Sequence, residues 1–212
     1  MTRIREKILR SSILLMLFAL VGTGILSLTN ELTRGRIAQN EIDEVLRNLH
    51  AIISPDMHDN NIFSDTIHIR HTTLSGTEKP IVVYRARKQG KPVAAVFSSI
   101  APNGYNGTIK LLIGIHYNGQ LTGVRVLSHH ETPGLGDAIE AERSAWIFGF
   151  NQKSLQNPDE KHWKVKKDGG VFDQFTGATI TPRAIVKAVK NTLLYFRQHR
   201  DKVFSSTGKD ND

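Results

Sequence analysis

Cysteine is absent from the 212 residues, so the chain can build no disulfide framework, no iron–sulfur site and no thiolate zinc site. Any redox chemistry must therefore come from a bound group. Internal repeats are not evident. Neither a Gly-x-Gly-x-x-Gly turn, a nucleophile–histidine–acid set nor a pair of catalytic acids can be picked out, so no residue is assigned a catalytic role. Acidic residues are outnumbered, 20 against 28 Lys and Arg, for a net charge of +8. The first ten residues carry +3 of this through Arg3, Arg5, Lys7 and Arg10 against Glu6, and the remaining +5 is scattered. Lys153, Lys161, Lys164, Lys187 and Lys190 alternate with acids and apolar residues, as on a solvated face. Nucleic acid is not an expected partner.

Long apolar runs are scarce too, but the one present is decisive. No residue from Ser11 to Thr29 is charged, and at about 1.5 Å per residue a helix of that length nearly crosses a bilayer core of roughly 30 Å. The basic residues in front of it place the N-terminus in the cytoplasm and the rest of the chain outside. A cleaved signal peptide shares the basic start, but its apolar region is shorter, about 7–15 residues, and no Ala-x-Ala exit follows here. The reading is a cytoplasmic segment over 1–10, a transmembrane anchor over 11–29, a juxtamembrane helix over 30–54, an extracytoplasmic domain over 55–204 and a disordered tail over 205–212.

Within that domain, Ile81–Ala86 and Pro92–Ile100 read as strands of one hairpin, and a short strand is suspected at Ile67–Ile69. Ile109, Leu111, Ile113 and Ile115 alternate along a further strand, after which Asn118-Gly119 predicts a primed turn and Leu121–Leu127 the return. A helical stretch is expected from Asp137 into Phe148. A terminal helix is expected from Pro182 to about Arg200, with Thr181 as N-cap and Ala184, Ile185, Ala188, Val189, Thr192, Leu193 and Phe196 on its buried face. Strands grouped before helices give an α+β fold with an antiparallel sheet and packed helices.

Thr176-Gly177-Ala178-Thr179 lies just before that helix. The first turn of a helix offers unpaired N–H groups and the positive end of the dipole, Gly177 and Ala178 leave the backbone open, and Thr176, Thr179 and Thr181 add hydroxyls. An anion such as phosphate suits this turn. By composition alone, a capped loop without a ligand is the favoured reading, since capping chemistry is common.

The segment Asp173-x-x-Thr176-Gly-Ala-Thr179-x-Thr181 resembles the flavinylation motif of the FMN-binding domain family, and Glu131-Thr132-Pro133-Gly134-Leu135-Gly136 is similar to that family's second signature. The resemblance implies that Thr179 is joined through its oxygen to the phosphate of FMN by a dedicated flavin transferase. It also implies that Thr176, Gly177, Ala178, Thr181, Glu131, Thr132, Leu135 and Gly136 lie beside the cofactor. Length, the single anchor and the Lys166-Lys167-Asp168-Gly169-Gly170 run point, within that family, to flavoprotein subunits of Rnf-type ion-translocating electron transport complexes in the bacterial inner membrane, with the other membrane subunits as partners. The C subunit of the sodium-translocating NADH:quinone oxidoreductase shares the motif, and an anchored binding or assembly protein without redox activity is a third reading.

Without the resemblance, Pro133–Gly136 is a strand-to-helix turn needing glycines. His129-His130-Glu131 suggests a metal site, but neighbours on a strand point to opposite faces, so none is assigned. One histidine of the pair is a candidate donor to the flavin. Lys166 or Lys167 is a candidate to offset the phosphate charge, and Trp146, Phe148, Phe150, Trp163 and Phe172 are read as core or subunit-contact residues.

Overall fold

The computed structural model describes residues 2–205. Met1 and residues 206–212, most of the tail expected to be disordered, lie outside the described residues. Helix α1 (Thr2–Ile52) is the first element, and the chain divides into two units, residues 1–45 and 46–212. In the first unit the stretch Arg5–Ile37 is long and apolar enough to cross a membrane. Leu14, Phe18 and Leu26 are 72%, 77% and 73% exposed, so this is not the amphipathic helix of a soluble core, which hides one stripe.

The second unit is built on a five-stranded antiparallel meander in the order β1 (Thr66–Ile69), β2 (Ile81–Lys88), β3 (Lys91–Gly104), β4 (Gly107–His116) and β5 (Leu121–Ser128). Two further helices pack on β3, the short α2 (Thr72–Ser75) and the long terminal α3 (Ile180–Phe204). The face of α3 expected to be buried is buried, and Phe196 meets Phe97 of β3 edge to face at 6.1 Å. Each such large side chain contributes about 1.5–3 kcal/mol on leaving water.

Leu112 breaks the apolar–polar alternation of β4 because the other face is covered as well. Leu49, Ile52 and Ile53 at the end of α1 are buried there, and a Cβ at Gly114 would collide with Ile52. That glycine is what lets the helix end lie against the sheet.

At its C-terminus α3 is sealed by β2. Arg85 Nη1 donates to Ser205 O at 2.9 Å and Arg87 Nη2 to Phe204 O at 2.9 Å. Both guanidinium groups are held by Asp65, through Arg85 Nε at 2.6 Å and Arg87 Nε at 2.9 Å. Cations thus meet the last carbonyls, where the dipole favours them.

Three local expectations are corrected. The primed turn joins β2 to β3, not β4 to β5: Gln89 and Gly90 have φ of 52° and 75°, and Asp59 Oδ2 accepts the Gln89 N–H at 2.7 Å, fixing an unusual residue there. At Asn118-Gly119 only the glycine has positive φ, 91°. The stretch after Asp137 forms only 3₁₀ turns at Asp137–Ile139 and Trp146–Phe150. There the Ser144 hydroxyl donates to Ala138 O at 2.6 Å and accepts the Trp146 N–H at 3.1 Å, taking up backbone groups a continuous helix would pair. Lastly, α3 begins at Ile180 with Thr179 as its N-cap, so Thr181 lies inside the helix. Pro182 is accommodated in the first turn, where its missing N–H would have no helical partner.

Candidate functional site

Three segments distant in sequence meet in a cleft of about 360 Å³. The β3–β4 hairpin tip brings Tyr105, the loop after β5 brings Glu131, Thr132, Leu135 and Gly136, and the start of α3 brings Gly177 to Thr181. Eight of the nine residues predicted from the two motifs are therefore together. Thr176 is not among the lining residues and is exposed on the turn.

The turn itself explains that placement. Ala178 N–H donates to Phe175 O at 3.2 Å, and Gly177, with φ of 81°, takes the third position, where a type II turn demands a left-handed residue. A Cβ at Gly177 would meet only Leu135 Cδ2 at 3.7 Å. Backbone conformation, more than crowding, thus calls for glycine here. Behind the turn, Trp146 Nε1 donates to Asp173 O at 2.8 Å and its ring meets Phe175 edge to face at 5.3 Å.

Thr179 lies at the edge of the cleft where α3 begins. It stands at the N-cap, yet its side chain makes no capping hydrogen bond, so its hydroxyl is free of the task a threonine there normally performs. Ile180 and Thr181 occupy the first helical turn, whose N–H groups have no intrahelical acceptor. One wall of the cleft is thus a set of neutral donors at the positive end of a helix dipole.

Glu131 closes the cleft beside that turn. Its side chain is buried, and its carboxylate accepts the backbone N–H groups of Tyr105 at 3.2 Å and Asn106 at 3.0 Å as well as the hydroxyl of Thr181. A Cβ at Gly136 would come within 2.8 Å of Glu131 Cβ, so that glycine is needed for the packing itself. The carboxylate is engaged with the protein on both oxygens.

His129 supports Glu131. Its Nδ1 accepts the Glu131 N–H at 3.0 Å and its Nε2 lies 2.7 Å from Glu140 Oε1, so both ring nitrogens have protein partners and neither is available as a flavin donor. His130 is exposed. Lys166 pairs with Asp173 at 2.5 Å and Arg183 with Asp168 at 2.6 Å; the hydrogen bond from Arg183 holds the Asp168 carboxyl below its ordinary range. Among the described residues no lysine or arginine lines the cleft. Phe150, Trp163 and Phe172 are core residues, whereas Phe148 remains 39% exposed.

Tyr105 and Ile180 complete the lining and were missed by motif reading. The signal for Tyr105 is the run Asn103-Gly104-Tyr105-Asn106-Gly107, an aromatic framed by turn residues. Among the described residues no group of three or more His, Cys, Asp or Glu is arranged to hold a metal. A second cleft of about 220 Å³, between Thr72, Pro102 and Lys187, contains none of the motif residues.

Residues 104–194 match the FMN-binding domain family, a span that contains every residue lining the larger cleft, and residues 1–52 match the RnfG N-terminal region. The chain is similar to the protein of Shewanella baltica named as the G subunit of the ion-translocating oxidoreductase complex, with 47% identity covering 95% of each chain. The like-named protein of Vibrio cholerae is 46% identical, with 92% of each chain covered. That of Pseudomonas aeruginosa is 44% identical over 95% of this chain and 94% of its own. Among solved structures, Shewanella oneidensis NqrC aligns with 70% of this chain and 71% of its own at 20% identity and a TM-score of 0.45.

Proposed function

The chain belongs to the family of ion-translocating oxidoreductase complex G subunits, and from that membership we propose that Thr179 carries FMN in this cleft as a phosphoester. It is a membrane-anchored flavoprotein subunit of such a complex. The N-terminal family match and the G-subunit relatives set aside the sodium-translocating NADH:quinone oxidoreductase assignment. Attachment through Thr179, its catalysis by a flavin transferase, and the part played by each lining residue are the finer reading.

One observation carries that reading: an N-cap threonine whose hydroxyl is not used for capping, at the edge of a cleft lined by first-turn N–H groups. In attachment Thr179 gives up its hydroxyl proton and its oxygen becomes bonded to phosphorus, while the flavin donor bound by the transferase loses the group previously attached there. The N–H groups of Ile180 and Thr181 would hold the phosphate, so that its charge would be met by helix-end donors rather than by a lysine or arginine. Leu135, Ile180 and Tyr105 supply an apolar surface that excludes water from the ring. When bound, FMN exchanges one or two electrons, allowing the complex to join carriers of either kind.

The anchor sits in the bacterial inner membrane, with the N-terminus cytoplasmic and the domain periplasmic, by the positive-inside rule. Covalent attachment suits that side, where released FMN would be lost by dilution. The other membrane subunits of the complex are its electron-transfer partners. Denaturing electrophoresis of chain produced with its flavin transferase tests the central step. In-gel flavin fluorescence is expected to stay with the wild-type polypeptide and to vanish in Thr179→Ala. A wild-type band without fluorescence rejects the phosphoester, and a fluorescent Thr179→Ala band moves it to another residue. A protein without redox activity gives neither fluorescent band.

A further inference from the structure

Among the described residues Tyr105 is the only aromatic one lining the cleft, and it is 66% exposed. Neither its ring nor its hydroxyl has a partner among the described residues, although the backbone beneath it is held at several points. Its own N–H and that of Asn106 donate to the buried Glu131 carboxylate, and Asn106 Nδ2 donates to Thr132 Oγ1 at 3.2 Å. Gly104 allows this approach, since a Cβ there would come 2.8 Å from Glu131 Oε1. A hairpin tip is usually free to sway; this one is latched to the loop that brings Glu131 and Thr132 into the cleft. Such anchoring fixes an aromatic ring at the opening while leaving its faces bare, beside the half-exposed Leu135 and Ile180 at 47% and 46%.

A planar, largely apolar ring system is the partner that such a surface fits, because offset stacking favours an aromatic neighbour beyond simple burial. Resting on the reading that FMN is bound at Thr179, we infer that Tyr105 is the cleft's stacking wall and packs against a face of the isoalloxazine ring. Glu131 is then a positioning residue, acting through the hairpin backbone and not on the cofactor. An electron-rich phenol against the ring shortens the ring's excited state and restrains its rotation, so stacking has spectroscopic consequences separate from turnover.

The test uses the full-length chain, solubilised in detergent after production with its flavin transferase, as wild type, Tyr105→Phe and Tyr105→Ala. Flavin emission and its anisotropy are measured per covalently bound flavin, so that differences in loading cancel. Emission is expected to rise several-fold and anisotropy to fall in Tyr105→Ala. In Tyr105→Phe anisotropy should stay at the wild-type value while emission rises, because phenyl stacks but is a poorer electron donor. A loaded Tyr105→Ala chain with wild-type emission and anisotropy overturns the inference, leaving the Thr179 attachment intact. Flavin absent from wild type under denaturing conditions overturns the attachment instead. If the alanine variant does not fold, Tyr105→Leu decides by the same two readouts.

Discussion

The two ends of α3 are finished in opposite ways. At the C-terminus the last carbonyls of the helix are taken by Arg85 and Arg87, both locked by one aspartate. At the N-terminus the capping position holds a threonine whose hydroxyl is left unused. A helix needs both ends satisfied for stability; the sealed end supplies stability that the open end forgoes, and the open end is the one we propose for the cofactor.

Removing the seal should have the largest effect. Asp65→Ala leaves two arginines without their shared partner, Arg85 buried, and is expected to destabilise the domain by about 3 kcal/mol, read from thermal or denaturant unfolding. A loss below about 1 kcal/mol would mean that the arginines find water as readily as the carboxylate. Next comes Glu131→Ala, which strands two backbone donors and the Thr181 hydroxyl; about 2 kcal/mol is expected on the same assay, with loosened hairpin amides in hydrogen exchange. Gly177→Ala forces an alanine into left-handed backbone and should cost about 1 kcal/mol. Because the space beside Gly177 is open, this strain, and not a blocked approach, is the expected source of any loss in flavin loading. Thr179→Ala is the sharpest contrast. An ordinary capping threonine loses about 1 kcal/mol on truncation, whereas this one should leave the melting temperature unchanged, and a full capping penalty would show that the hydroxyl is structural.

Much of this was legible in sequence where chemistry and periodicity act locally. The alternation along β4 and the helical spacing from Ala184 to Phe196 pointed to the sheet and the buried face of α3, and two short motifs gathered most of the cleft. Illegible were features decided by a distant partner. Thr181 reads as an N-cap until Glu131, fifty residues earlier in the chain, claims its hydroxyl. Asn118-Gly119 reads as the primed turn, but the pair of positive-φ residues forms at Gln89-Gly90, where distant Asp59 takes the Gln89 N–H. His129 reads as a candidate donor to the flavin until Glu140 and the Glu131 amide occupy its ring. Leu112 looks misplaced on a polar face until the end of α1 covers that face.

The anchor contrasts with the domain in the same spirit. Its apolar residues are exposed all round, a surface that only lipid or neighbouring subunits can satisfy, while the domain hides most of its apolar residues in its core.

Mass spectrometry of the peptide spanning Thr176 to Pro182, from chain expressed together with the flavin transferase, tests the open helix end most directly. Thr179 is expected to bear the mass of FMN less one water, with Thr176 and Thr181 unmodified. An unmodified peptide, or flavin mass on Thr176 or Thr181, would contradict the assignment of the open helix end to the cofactor.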